Sequence, residues 1–269
     1  MHGDTVANAA PAGGAALRID AVNEPPVPAA HPAVAPADAA CPAPVWIAPS
    51  GTPRAAVLVL HGLDMAPAQL TPILASLKLP AWIAVPSGPV ERAQGLRSWW
   101  PVDDARRDAR LAAGPADLHE SFPTGRAPAR DAAHAAARAL REQAPGLPLV
   151  VAGFSQGAML ALDCVAQDPP LPVDALALWS ASRLAFTEWA PRLHRLRGVR
   201  VELLHGRADA NLGIAAGLSL RDALVAAGAA VHWSAFDGGH EIPLRAWVGL
   251  RRLVRVVAAG TDRRQANVN

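Results

Sequence analysis

The chain has 269 residues, of which 51% are hydrophobic and 18% charged, enough apolar content for one large core of the size of a single α/β domain. A formal net charge of +2 is too small to point to a nucleic-acid or membrane-surface partner on electrostatic grounds. Two cysteines, Cys41 and Cys164, give neither a disulfide framework nor a metal-ligand spacing.

Residues 1–44 are dominated by Ala, Pro and Gly and offer little to pack, so they read as a disordered or extended arm ahead of a single folded domain spanning 45–260. The N-terminus lacks a charged start followed by an apolar run, and no stretch has about 18 uninterrupted apolar residues. A cytoplasmic protein without stable membrane insertion is therefore expected. From Val45 onward, short aliphatic runs alternate with Ala- and Leu-rich amphipathic segments, the pattern of a mostly parallel sheet with helices on both faces and no separate large lid domain.

The first strand is expected at 45–48 and the second at 56–61, followed by a helix at 67–78 and a strand at 81–85. The stretch from Pro86 to Arg126 then reads as one long loop rich in Pro, Gly, Arg and Asp, a candidate pocket wall or lid. Trp99 and Trp100 stand out in it, because adjacent large aromatics on a polar loop expose apolar surface unless they pack on the domain or on a substrate. Both are candidate substrate-binding residues, and burial of either in the core is the competing expectation.

A helix at 127–144 precedes a strand at 149–154, and a helix at 156–167 follows it. Between the last two lies Gly153-Phe154-Ser155-Gln156-Gly157. A strand-to-helix turn this tight strains the serine backbone and admits only glycine two residues to either side, and it lifts the hydroxyl clear of the sheet. Ser155 is thus the candidate nucleophile, and the N–H of Gln156, opening the helix, is one candidate oxyanion donor. The second donor is assigned to Leu63 in Leu60-His61-Gly62-Leu63-Asp64, the loop after an early strand.

Strands at 175–179, 200–205 and 231–236 and helices at 214–227 and 243–258 complete the domain, with a flexible tail over 261–269. A serine nucleophile needs a base and an acid to orient it, in the chain order Ser, acid, His for this architecture. Of nine histidines, His240 lies on a loop after the last strand, flanked by Gly238 and Gly239, which let the loop bend back over the serine. Asp209 lies after the penultimate strand, whereas Asp222 is too far into the next helix and Asp237 is in the histidine loop itself. Scattered histidines give no zinc pattern, and no Gly-rich loop matches a nucleotide fingerprint, so no cofactor or metal is expected.

The segments LHGLD at 60–64, RSWWPVD at 97–103, GFSQGAML at 153–160, HGRAD at 205–209 and GGHEIP at 238–243 resemble the bacterial phospholipase/carboxylesterase family, relatives of the acyl-protein thioesterases. The resemblance covers about Val45 to Gly260. It implies an α/β-hydrolase fold and cofactor-free hydrolysis of a small-molecule ester or thioester, with Leu63 and Gln156 as oxyanion donors and Trp99 near the acyl groove. The chain departs from the family at Asp64, usually Gly, at Leu212-Gly213, where a Val-Pro pair is usual, and at Ser180-Ala181, usually Ser-Gly. A non-catalytic binding protein on the same fold is the alternative function.

Overall fold

Three of the aliphatic runs bury every residue, which requires cover on both faces. In the computed structural model, which describes residues 42–266 with side chains to 260, these runs form the centre of the sheet. The arm assigned to 1–44 lies outside the described residues except for its last three. In chain order the elements are β1 (Val45–Ile47), β2 (Ala55–Leu60), α1 (Pro67–Ser76), β3 (Ala81–Val85), β4 (Val90–Glu91), β5 (Arg97–Ser98) and α2 (Asp104–Ala112). They continue with α3 (Arg126–Gln143), β6 (Leu149–Phe154), α4 (Gln156–Ala166), β7 (Ala175–Trp179), α5 (Phe186–Trp189), β8 (Arg200–Gly206), α6 (Ile214–Ala226), β9 (Ala230–Phe236) and α7 (Leu244–Ala266).

The seven-stranded sheet runs β1-β3-β2-β6-β7-β8-β9, with β1 antiparallel at one edge and every other pair parallel. Alternate residues of β2 serve two cores. Ala56, Leu58 and Leu60 face the side covered by α3, α4 and α6, and Ala55, Val57 and Val59 face α1 and α7. Strand order reverses between β2 and β6, so the chain leaving each strand turns to a different side, and the crevice between them is where an open α/β sheet takes its ligand.

All eleven residues of α4 are buried, including Asp163, whose charge is met by Arg126, Arg130 and the Trp189 indole N–H at 2.7–2.9 Å. The short helix α5 is not among the expected elements, and two larger differences stand beside it. The stretch 86–126 is not a bare loop, since it holds the β4–β5 hairpin and α2. Helix α2 was hidden because none of its residues is buried, so it carries no apolar stripe. Helix α7 runs to Ala266, past the expected end at 258 and into the segment assigned to the tail, with no proline to stop it. Among the described residues, no helix is long and apolar enough to cross a membrane.

Candidate active site

β6 ends at Phe154, and the chain turns into α4 through Ser155, whose φ of 52° and ψ of −114° lie where a residue with a Cβ is strained. The turn is possible because Gly153 and Gly157 sit back to back. A Cβ on Gly153 would lie 2.5 Å from the Gly157 carbonyl carbon, and one on Gly157 would overlap the carbonyl oxygens of Leu60 and His61. This close approach presses the start of α4 against the end of β2.

From this turn, Ser155 Oγ lies 2.8 Å from His240 Nε2, and His240 Nδ1 lies 2.7 Å from Asp209 Oδ2. With the imidazole proton on Nδ1, the ring donates to the carboxylate and accepts from the serine hydroxyl, the tautomer a general base requires. The loop after β9 that carries His240 is docked on the loop after β8 by backbone bonds from Arg207 N to Phe236 O (2.9 Å) and from Ala208 N to Gly238 O (3.0 Å). Gly206 permits it, because a Cβ there would meet the Gly238 and Gly239 carbonyls.

Asp209 is 3% exposed. Its Oδ1 accepts from the N–H groups of Asn211 and Leu212, both at 2.9 Å, which leaves Oδ2 for His240. Burial alone would push this carboxyl up. The hydrogen bonds from His205 and His240, the His240 charge and the Leu212 N–H outweigh burial and hold it well below the usual carboxylate range. His205 is fully buried, and its Nε2 lies 2.5 Å from Leu212 O and 3.4 Å from Asp209 Oδ2. It therefore braces Asp209 and the Leu212 carbonyl and is closed to solvent.

Neither oxyanion candidate N–H is consumed locally. Gln156 opens α4 and has no acceptor in a preceding helical turn, and Leu63 N–H makes no bond among the described residues. Leu60 and Gly153 are partners in register, so the loops after β2 and β6 leave the same end of the sheet. The Gln156 side chain does something else: its Oε1 accepts from Trp99 N at 2.8 Å and its Nε2 donates to Trp100 O at 3.4 Å, clipping the Trp loop onto the start of α4.

Trp99 and Trp100 are 0% and 4% exposed, so neither is an open wall. Trp99 stacks on His61 at 4.9 Å and donates its indole N–H to His61 O at 2.8 Å. His61 in turn has its Nδ1 2.7 Å from Gly62 O and accepts from Gly88 N at 2.9 Å, so the loop before Leu63 is pinned by a neutral imidazole.

Burial lowers the His61 pKa from the ordinary 6.5 to about 4, the Arg97 charge lowers it too, and the Gly62 bond offsets only part of this. Above 6.5 the imidazole is neutral in both the folded and unfolded chain and its contribution is complete. As pH falls from 6.5 towards 4 the unfolded chain binds the proton first, and about 3 kcal/mol of stability is lost. Urea midpoints measured from pH 8 to pH 4 should fall over that window and flatten there in His61→Gln. Equal acid slopes in the two proteins would refute this role.

Contacts that sequence reasoning did not find come from the long stretch. Arg92 bridges Asp64 and Asp104, with both bonds at 2.6 Å, and Arg110 reaches Asn211 with Nη1 on its carbonyl oxygen at 3.0 Å and Nη2 on its Oδ1 at 2.8 Å. An arginine in a hairpin turn, as Arg92 is, or on a polar helix, as Arg110 is, carries no signal of its partner. His205 was visible as the end of the expected strand at 200–205 and the first residue of HGRAD, with no sign of its contact to Leu212 or Asp209.

No family model and no curated protein matches the chain. Solved structures do. It is similar to the esterase PE8, with 21% identity and a TM-score of 0.63 over 80% of this chain and 98% of that one. It is similar to acyl-protein thioesterase 2 of Zea mays, with 22% identity and a TM-score of 0.59 over the same shares. A carboxylesterase from Mesorhizobium loti aligns with 18% identity and a TM-score of 0.57 over 77% of this chain and 91% of the other. At these identities the likeness establishes the architecture, and with the parallel sheet described above it shows that the chain has the α/β-hydrolase fold.

Proposed function

We propose that the chain is a serine hydrolase that cleaves a carboxylic ester or thioester through an acyl-enzyme on Ser155. The observation that carries this reading is the unbroken hydrogen-bond series from Ser155 Oγ through His240 to Asp209, set on a strained turn. As Ser155 Oγ attacks the carbonyl carbon, its proton passes to His240 Nε2, and the ionised Asp209 stabilises the imidazolium. The carbonyl electrons move onto oxygen, where the N–H groups of Leu63 and Gln156 meet the developing charge. Collapse expels the alcohol or thiol, which takes the proton from His240. Water, activated by the same imidazole, then hydrolyses the acyl-enzyme and restores Ser155.

A fluorophosphonate probe should label wild-type protein at Ser155, with turnover of p-nitrophenyl esters, acyl thioesters or lysophospholipids. Failure to label folded protein would favour a non-catalytic binding module instead. On the same panel Trp99→Ala separates two roles. A buried indole that holds Gly62-Leu63 and Gln156 predicts a stability loss of about 3–5 kcal/mol and an equal fall in kcat/KM from acetate to decanoate esters. A fall that grows with chain length would instead place Trp99 in the acyl groove, since each buried methylene is worth about 0.8 kcal/mol.

A further inference from the structure

Helix α2 has no buried residue, yet its C-terminal end touches the loop that holds the acid. Resting on the reading of Asp209 as the catalytic acid, we infer that Arg110 is a positioning residue for that acid, acting through Asn211. The Arg110 guanidinium grips Asn211 at two points, the backbone carbonyl at 3.0 Å and Oδ1 at 2.8 Å. Two bonds from one planar fork fix the orientation of the residue they hold. The N–H of that same Asn211 donates to Asp209 Oδ1 at 2.9 Å, beside the Leu212 N–H at 2.9 Å. With Oδ1 held by these two donors, Oδ2 stays turned towards His240 at 2.7 Å.

The acid loop needs an external tie. Asn211-Leu212-Gly213 contains neither a proline nor a β-branched residue, and Gly213 is the most permissive residue available at the start of α6. Ala116 N also reaches Asn211 O, at 3.2 Å, but Oδ1 has only Arg110 among the described residues. His205 Nε2 holds Leu212 O and lies 3.4 Å from Asp209 Oδ2. The acid is therefore set between an internal brace from β8 and an arginine delivered by the long segment that precedes α3.

Arg110→Ala should lower kcat by about tenfold with KM within about twofold, since displaced catalytic groups lose rate rather than ground-state binding. Arg110→Lys should recover little, because an ammonium cannot grip two acceptors in one plane, and added guanidinium should restore part of the rate in Arg110→Ala. Asn211→Ala, which keeps the backbone carbonyl, should lose less. Arg107→Ala on the same helix is the control and should leave kcat unchanged.

The decisive measurement is Arg110→Ala in an Asp209→Asn background, where no further loss is expected because the function it supports is already gone. The downfield N–H proton of His240 in the NMR spectrum should also move in Arg110→Ala without any substrate present. A tenfold loss that repeats in full in the Asp209→Asn background, a loss no larger than that of Arg107→Ala, or a fall in Tm with kcat intact would each overturn the inference. Turnover that depends on Ser155 but ignores Arg110 overturns this inference alone. Absence of Ser155-dependent turnover in wild type overturns the hydrolase reading and this inference with it.

Discussion

Ser155→Ala should lower kcat by 10³-fold or more, on the order of what losing an activated nucleophile costs, while leaving the melting temperature close to that of wild type. The substitution removes one oxygen. The backbone bond from Ser155 N to Trp179 O at 2.9 Å remains, and so do the glycine contacts that shape the turn. His240→Ala should cost a similar factor, and the double variant should cost little more than either, because in the proposed mechanism the two side chains, 2.8 Å apart, move one proton between them. Ser155→Gly is the sharper test of what the turn stores. It should be as inactive as the alanine variant yet more stable, by up to about 1–3 kcal/mol, because glycine relieves the φ of 52°. Turnover of p-nitrophenyl butyrate above a tenth of the wild-type rate in Ser155→Ala would remove the nucleophile assignment.

The parts of this site legible in the sequence are those whose local chemistry leaves a mark. Ser155 is marked by the two glycines its turn requires, and His240 by the glycines and the place of its loop after the last strand. The central strands β2, β6 and β7 were readable because buried parallel strands are apolar on both faces. Their order across the sheet, and the antiparallel β1 at its edge, depend on pairing between distant segments that no local pattern encodes.

The contacts that hold the site escaped for the same reason. Arg92 with Asp64, and Arg110 with Asn211, join residues separated by 28 and 101 positions, and neither arginine differs locally from a solvated one. Trp99 and Trp100 were conspicuous because the surrounding loop is polar. Of the two expectations for them, packing on the domain or on a substrate, the structure shows the first: both are buried, Trp99 stacks on His61 and Gln156 clips the loop, so the polar composition of the loop described its outer surface and not its underside. Asp64 stands at a φ of 53°, where the family it resembles usually has glycine, and Arg92 ties its carboxylate in place beside Leu63.

Gly157→Ala and Gly249→Ala should change stability in opposite directions, although helix propensity alone predicts that both stabilise by up to about 1 kcal/mol. Both glycines lie within helices, α4 and α7 respectively. At Gly249 an added Cβ finds only Glu202 Oε2 at 3.9 Å, an ordinary contact, so the propensity gain is kept. At Gly157 the Cβ would overlap the Leu60 and His61 carbonyl oxygens, which belong to the end of a central strand and the loop it feeds. Neither is the tip of a side chain that can rotate away, so α4 and β2 must separate, at a cost of roughly 3 kcal/mol or more. The separation also moves the Leu63 N–H away from the Gln156 N–H, so whatever Gly157→Ala protein folds should show a kcat reduced by 10²-fold or more, as when an oxyanion donor is lost. Urea midpoints and kcat of the two variants, read side by side, decide the matter. If Gly157→Ala were as stable and as active as Gly249→Ala, β2 and α4 would not be in the contact that places the two proposed oxyanion donors at one site.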